Sequence, residues 1–399
     1  MAVPKIAIVI SHPIQHFCPQ FASYAKSGEW NVKVFFASAM GYKTYKDNRF
    51  GVEINWNNLY LDKFAYEFLN EGKVLRSDYL LDAPELGSKL DEFNPDAVIV
   101  YGYIQKFQRR AISWTHKNKK KLLFIADSEL RHKRNLFKSF LKRWILPFYL
   151  KKPQAFLTVG DANEQYYRYF GVKDYKFYRT FFPIDIELYK ESVKQKEAFK
   201  KEVYKKYNIS PNAFLCCNVG KLVDFKAQTQ LVDLLFKLKN YTDKEIVIFI
   251  IGSGPDFEDI KLKSSELSNH RIILTGFVKP EELPEYYGAC EVYIHPSGKD
   301  PHSLAISEAI YMGCVPIISS LCGSYGPTDD VRPGFNGFVY EYAKIDQLAY
   351  YILILINNPD LLKEFSENSM NIAKWHQELA HGKGLRAALN NIFNNNIEF

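Results

Sequence analysis

Asp300 and Glu308 stand eight residues apart in the stretch Asp300-Pro-His-Ser-Leu-Ala-Ile-Ser-Glu308, which begins as a turn and continues as a helix-like run through Met312. A loop-to-helix junction of this kind sets Asp300 at the rim and presents the backbone N–H groups of His302, Ser303 and Leu304 at the helix start. It carries Glu308 about one turn inside. A helix start attracts an anion, and carboxylates accept hydrogen bonds from hydroxyl groups, so the pattern suits a ligand that carries both, such as a sugar diphosphate. Acidic residues near helix starts also serve as plain caps, and spacing alone does not separate the two uses.

The elements that must position these groups follow from the apolar pattern. Short apolar runs alternate with amphipathic stretches along the chain, which is the signature of parallel sheets wrapped by helices. In the first half the runs at 6–10, 32–37, 97–101, 122–126 and 155–159 read as strands, with helical patterns near 16–27, 105–117, 133–150 and 161–170. The second half repeats the scheme, with strands at 214–219, 246–251, 271–274, 292–294 and 315–318 and helical patterns near 227–239, 279–288 and 303–312. Pro183 and the Lys/Glu-rich stretch 187–206 read as a connector and a solvated helix. The fold class is therefore α/β, with two doubly wound Rossmann-like domains at 1–185 and 186–374 and a closing helical segment at 375–399 that returns to the first. Ligands of such sheets bind outside the carboxyl ends of the strands, so the chemistry belongs in the loops that follow them.

Those loops form an ordered series in the second half. Gly220-Lys221-Leu222-Val223-Asp224-Phe225-Lys226 combines a turn residue with two lysines able to reach one anionic site. Gly252-Ser253-Gly254-Pro255 lets backbone approach a ligand, but it lacks the third glycine of a dinucleotide fingerprint and the GK[ST] of a P-loop. Gly276-Phe277-Val278-Lys279-Pro280 follows the third strand, and His295-Pro296-Ser297 leads from the fourth into the Asp300 motif.

Composition narrows the classes. Of the 399 residues, 47% are hydrophobic and 24% charged, as in globular proteins, and the length is ample for two cores. The six cysteines include no CxxC pair and sit mostly in apolar runs, which implies reduced packed thiols and a cytoplasmic setting. The apolar start ends at Ser11, His12 and Pro13 and reads as a first strand rather than a leader. No window approaches the ~18 apolar residues of a membrane span. The net charge of +7 is uneven: residues 1–185 hold 29 Lys+Arg against 18 Asp+Glu, and 101–152 alone hold 15 basic and two acidic residues. Within the segment 131–152, Phe137, Leu141, Trp144, Ile145 and Phe148 recur at helical spacing, with Lys138, Lys142 and Arg143 off that stripe. A basic helix bearing aromatics fits an anionic membrane surface, and it equally fits a helix packing its stripe on a sheet with a solvated basic back. Nothing resembling a zinc finger or an RNP motif accompanies the charge, so nucleic acid is not the expected partner.

Taken together, "GKLVDFKA", "IGSGP", "LTGFVKPEELPEYYGACEVYIHPS", "DPHSLAISEAIYMGCVPIIS" and "GFNGFVY" resemble the second domain of family 4 retaining glycosyltransferases with the GT-B fold. In the first half, "SHPIQHF", "IADSEL" and "VGDANEQYYRYFGV" are similar to bacterial members acting in surface-glycan assembly. The resemblance implies a nucleotide-sugar donor, of UDP or GDP type, held mainly by the second domain. It also implies a glycan or lipid-linked acceptor held by the first, with reaction between them. It makes Glu308 the ribose partner, Asp300 the partner of donor-sugar hydroxyls, Lys221 and Lys226 the neutralisers of the diphosphate, and the backbone of Val278 the neighbour of the base. Gly220 and Gly252 then shape the donor loops, and the amides of His302, Ser303 and Leu304 bind phosphate or sugar. Lys221 stands where the family usually has Arg, Asp300 where it has Glu, and Ala126 where many relatives have a histidine; Asp127 or His12 is the substitute.

Catalysis on this reading uses no cofactor and no metal. Negative charge grows on the leaving diphosphate as the anomeric bond lengthens, and lysines with a helix start stabilise it in the transition state. The histidines show no HExxH and no clustered acidic set. Two other classes stay open: an epimerase or phosphorylase of the same fold, and a non-catalytic homologue that binds a membrane or partner through the basic helix. Asp161 and Asn163 read as helix caps, and Tyr166 and Tyr167 as core or interface packing.

Overall fold

The computed structural model describes residues 3–47, 52–54, 56, 59–131 and 136–394, and for 46–47, 52–54 and 136–141 it describes the backbone alone. Residues 1–2 and 395–399 of the expected domains lie outside it, as do 132–135 of the basic segment. The chain forms two compact units, one of Met1–Val159, Asn163–Asp185 and His376–Phe399, the other of Gly160–Ala162 and Ile186–Trp375.

The first unit is built on β1 (Lys5–Ile10), β2 (Asn31–Phe36), the small antiparallel pair β3 (Tyr45–Asp47) and β4 (Val52–Ile54), β5 (Ala65–Phe68), β6 (Ala97–Tyr101), β7 (Lys121–Ile125), β8 (Ala155–Thr158) and β9 (Phe177–Arg179). Its main sheet has seven parallel strands in the order β5-β2-β1-β6-β7-β8-β9. The second unit carries β10 (Phe214–Val219), β11 (Ile246–Ile251), β12 (Arg271–Gly276), β13 (Val292–His295), β14 (Val315–Ser319) and β15 (Phe338–Tyr340), parallel in the order β12-β11-β10-β13-β14-β15. Helices cover both faces of such sheets, so central strands are apolar on both. In β1, Ile6, Ile8 and Ile10 pack with Phe17, Phe21 and Leu385, while Ala7 and Val9 pack with Leu86, Leu90 and Phe107 on the opposite side.

Several differences from expectation fall where the apolar signal is weak, although the apolar helix Ile345–Asn357 was also absent from the expected pattern. β5, β9 and β15 were not apparent in the pattern because they are short edge strands, and β5 and β9 are at most half-buried; a hydrogen-bonded neighbour, not a hydrophobic run, makes each a strand. The stretch expected to hold one solvated helix contains two, Ile186–Val193 and Lys196–Lys206, which bury Tyr189 and Val203 and pack on the helix Leu283–Ala289. The closing pattern at 376–394 is interrupted. A helix Pro359–Glu378 runs into a widened turn at Leu379–Lys383, where Gly382 takes a φ of +142°, and Gly384–Asn394 resumes beyond it.

The basic helix spans Leu136–Leu150. It inserts Leu146 and Leu150, four residues apart, into a cluster with Phe124, Phe156, Tyr166 and Tyr167. Trp144, Ile145 and Phe148 are instead 72%, 49% and 65% exposed, so these members of the expected stripe do not pack on the sheet. The side chains of Phe137, Lys138 and Leu141 lie outside the described ones. Tyr166 and Tyr167 are wholly buried, as packing residues should be.

Candidate functional site

Four loops at the carboxyl ends of β10, β11, β12 and β13 carry or lead to the residues singled out in the second unit. Asp300 lies in the loop between β13 and the helix Leu304–Tyr311, and it is only 7% exposed. Burial by itself disfavours a carboxylate. Here the ring of His295, at the end of β13, places Nε2 2.8 Å from Oδ2, and the ammonium of Lys226 lies 2.5 Å from the same oxygen. Together they outweigh desolvation and bring the Asp300 pKa down to about 2. Lys226 is brought there by the turn Asp224–Lys226, which is tied to the Asp300 loop because Gly298 N–H and Ser297 Oγ–H both donate to the Phe225 carbonyl.

His295 was read from the sequence only as part of a loop, and the structure makes it a member of this group. Its imidazole is buried, which lowers its pKa despite Asp300, so the ring is neutral at ordinary pH. Nε2 must then carry the hydrogen, since the carboxylate can only accept, and Nδ1 accepts from Tyr293 O–H at 3.2 Å. A histidine closing the apolar strand Val292–His295, five residues before the aspartate, was the signal available.

Glu308 lies one turn into the helix Leu304–Tyr311 and is half-buried. The hydroxyl of the fully buried Tyr287 donates to its Oε2 at 3.0 Å and fixes the carboxylate's orientation. At the start of that helix the reading of three ligand-holding amides needs correction. Ser303 N–H already donates to Ser324 Oγ at 2.9 Å, a bond that anchors the helix start to the loop after β14, so this amide is spent within the fold.

The side chain of His302 points into the protein. Its Nε2 is 3.4 Å from Asp329 Oδ1 and 3.7 Å from Asp330 Oδ2, with all three side chains buried. Burial opposes charge on this ring, but the two carboxylates prevail and raise its pKa above the ordinary value. The ligand-type atoms of the three residues lie within 4.8 Å of one another, so the fold assembles a set able to take a divalent cation where sequence spacing showed none. The protonated imidazole closes the same set as an ion pair.

Gly220 follows β10 and Gly252 follows β11, and Gly220 N–H donates to the Ile251 carbonyl at 3.0 Å. A Cβ on Gly252, whose φ is +144°, would sit 2.0 Å from the Gly220 carbonyl oxygen. This glycine is therefore required for contact between two loops, in addition to any role toward a ligand. Lys221 is half-buried just past β10, and its carbonyl accepts from Gln228 Nε2. Val278 is half-buried in the loop after β12.

The candidates His12 and Asp127, with the nearby His16, lie in the first unit. His12 follows β1, half-buried, with Nδ1 2.9 Å from Ser11 Oγ; burial pulls its pKa down to about 4. His16 meets Phe17 at a tilt and Phe182 edge-on, and burial likewise lowers its pKa to about 4. Asp127 is exposed in the loop after β7, beside a half-buried Ala126. Asp161, read as a helix cap, belongs to the second unit, where its carboxylate accepts from Thr328 N–H at 2.9 Å and Thr328 Oγ1–H at 2.7 Å.

Residues 199–371 match the family model described as "Glycosyl transferases group 1". Among curated proteins, the chain is 27% identical over 190 residues to an uncharacterized glycosyltransferase of Methanocaldococcus jannaschii, covering 47% of this chain and 45% of that one. It is 28% identical over 168 residues to the alpha-monoglucosyldiacylglycerol synthase of Acholeplasma laidlawii, covering 41% and 40%. The chain thus spans less than half the length of the curated relatives it matches. Among solved structures, a glycosyltransferase from Rickettsia africae superposes with a TM-score of 0.72 at 16% identity over 98% of this chain and 99% of that one. Anabaena Alr3699/HepE in complex with UDP does so with 0.71 at 15% over 97% and 99%. At such identities the likeness establishes the fold, which is the two-domain GT-B type.

Proposed function

We propose that this protein is a retaining glycosyltransferase that moves a sugar from a nucleoside diphosphate donor to a glycan or lipid-linked glycan, without a metal. The observation that carries the reading is the Lys226–Asp300 pair at the strand ends of the second unit, with Glu308 one helical turn further in. Asp300, ionised and held through Oδ2, is suited to accept hydrogen bonds from the hydroxyls of a donor sugar. Glu308, oriented by Tyr287, suits a ribose. An ammonium has three N–H groups, so Lys226 can hold Asp300 and still face a phosphate, with Lys221 and the helix start at Leu304 adding to the positive field.

As the anomeric bond breaks, charge moves onto the diphosphate, and these groups stabilise that state more than the ground state. Attack from the same face, with the departing phosphate oxygen taking the acceptor proton, gives retention. The family match over 199–371 and the fold shared with a UDP-bound protein support a nucleotide-sugar donor.

For the acceptor side, the exposed Trp144, Ile145 and Phe148 beside Lys142, Arg143 and Lys152 support docking on an anionic membrane face. No described helix is long and apolar enough to cross a membrane. The test is release of nucleoside diphosphate from UDP-, GDP-, dTDP- and ADP-sugars with EDTA present, in wild type and Glu308→Ala. Release from one donor that disappears in the variant supports the reading, and retention is then read from the anomeric configuration of the product. No release together with no nucleotide binding sinks it.

A further inference from the structure

His295 ties the candidate site to the core of the second unit. Among the described contacts both groups that hold the Asp300 carboxylate fall on Oδ2, Lys226 at 2.5 Å and His295 Nε2 at 2.8 Å, so Oδ1 is the oxygen left to face a ligand. His295 is 1% exposed and Tyr293 is wholly buried. Behind the ring, Tyr293 Oη lies 3.2 Å from Nδ1 and 3.3 Å from the Val219 carbonyl oxygen at the end of β10, and its one hydrogen is shared between these two acceptors. β13 and β10 are neighbours in the sheet, so this hydroxyl is fixed to the strand pair that carries the loops of both Asp300 and Lys226. A chain of bonds therefore runs from the sheet through Tyr293 and His295 to one defined oxygen of Asp300.

We propose that His295 is a positioning residue for donor transfer. Its Nε2–H, oriented by Tyr293 at Nδ1, fixes the Asp300 carboxylate so that Oδ1 is presented to the donor's sugar. The inference rests on the proposed donor site and adds to it the group that sets the carboxylate's angle. An imidazole held at both nitrogens has one tautomer and one ring orientation, and a carboxylate gripped at one oxygen by two donors cannot rotate to expose the other. Lys226 alone, on a flexible stem, would neutralise Asp300 without fixing its plane. The other titratable groups that feel Asp300 are Tyr293, Cys322 and His302, all buried.

Two measurements separate this inference from the reading it rests on. The first needs no substrate: nitrogen NMR of ring-labelled histidine should show His295 with hydrogen on Nε2, and that signal should move in Asp300→Asn. Hydrogen on Nδ1, or a signal indifferent to Asp300, overturns the inference even in an active enzyme. The second is kinetic. His295→Ala should lower donor turnover by about tenfold or more, while the affinity for the free nucleoside diphosphate, which has no sugar, stays within about twofold. Its acid limb of kcat/KM should shift to higher pH as Asp300 loses a donor, and His295→Gln, which restores an N–H, should recover part of both. Tyr293→Phe should produce a smaller loss of the same kind. Equal loss of turnover and nucleotide affinity, with no recovery in His295→Gln, would mean that His295 only supports the fold. If wild type turns over no nucleotide sugar, the proposed function fails, and the NMR result still decides the His295–Asp300 bond.

Discussion

The strand ends of the second unit and the basic helix of the first depart from the usual partition of side chains in opposite directions. At the strand ends, charged groups are buried: Asp300 and His302 are 7% and 6% exposed and Asp329 is wholly enclosed. On the helix Leu136–Leu150, Trp144 and Phe148 stand in solvent. Buried charge is tolerated only with partners, and exposed aromatic surface is costly unless something covers it. The first region has its partners within the fold, as His295 and Lys226 show for Asp300. The partner for the second is proposed to be a surface outside it. One region is built to hold a small polar ligand in fixed geometry, the other to meet an extended interface.

The comparison can be broken most sharply at the carboxylates. Glu308→Ala and Lys226→Ala are each expected to lower donor turnover by roughly 10²–10³-fold while circular dichroism stays native; unchanged turnover in both would remove the assigned site. On the helix, the two kinds of apolar residue should behave oppositely in thermal or urea unfolding. Leu150→Ala, which empties part of a packed cluster, should cost about 2–5 kcal/mol, whereas Trp144→Ala should lie within about 0.5 kcal/mol of wild type. Similar losses from both would show that the exposed face is part of the core after all.

Acid titration sharpens the same contrast. Asp300 has a folded pKa of about 2 against 3.8 in its ordinary state, so its contribution is complete above pH 3.8 and disappears as pH falls toward 2. That contribution is on the order of 2 kcal/mol. His12 and His16 titrate near 4 when folded and 6.5 when not, so between those values the unfolded chain binds more protons and stability is lost as the pH is lowered. His302 acts in reverse: its folded pKa is raised, so its stabilisation is full below pH 6.5 and is lost as pH rises through the folded value. Denaturation curves of His302→Gln against wild type should therefore converge at high pH; a constant gap across the range would exclude the ion pair with Asp329 and Asp330. The smallest effect is expected at the surface. Reversing Lys142 and Arg143 to Glu should weaken binding to anionic liposomes at least tenfold, at about 1 kcal/mol per basic residue. Binding that survives the reversal would separate the exposed aromatics from any membrane role.

What was legible in the chain was whatever has a local period. β10 and β11 appeared at their observed bounds because a short run of apolar residues, interrupted only by Asn218 in β10 and unbroken in β11, reads as a buried strand when turn residues bound it. The order of Gly/Lys loops after them was visible for the same reason. The helix carrying Glu308 was also evident, since Leu304 to Tyr311 keeps a helical pattern behind a turn. The edge strands β5 and β9 were hidden because half-buried edges lack such a run.

The sequence by itself determined two α/β units and the places where ligands could bind, because strand and helix periods are written in neighbouring residues. Only the tertiary structure decided which groups act together. It joined Lys226 to Asp300 across 74 positions, gave the Ser303 amide to Ser324, and closed His302 on Asp329 and Asp330. It also chose Leu146 and Leu150 over Trp144 and Phe148 for the core. Those choices depend on which strands lie side by side and how far each loop reaches, and spacing along the chain carries no record of either.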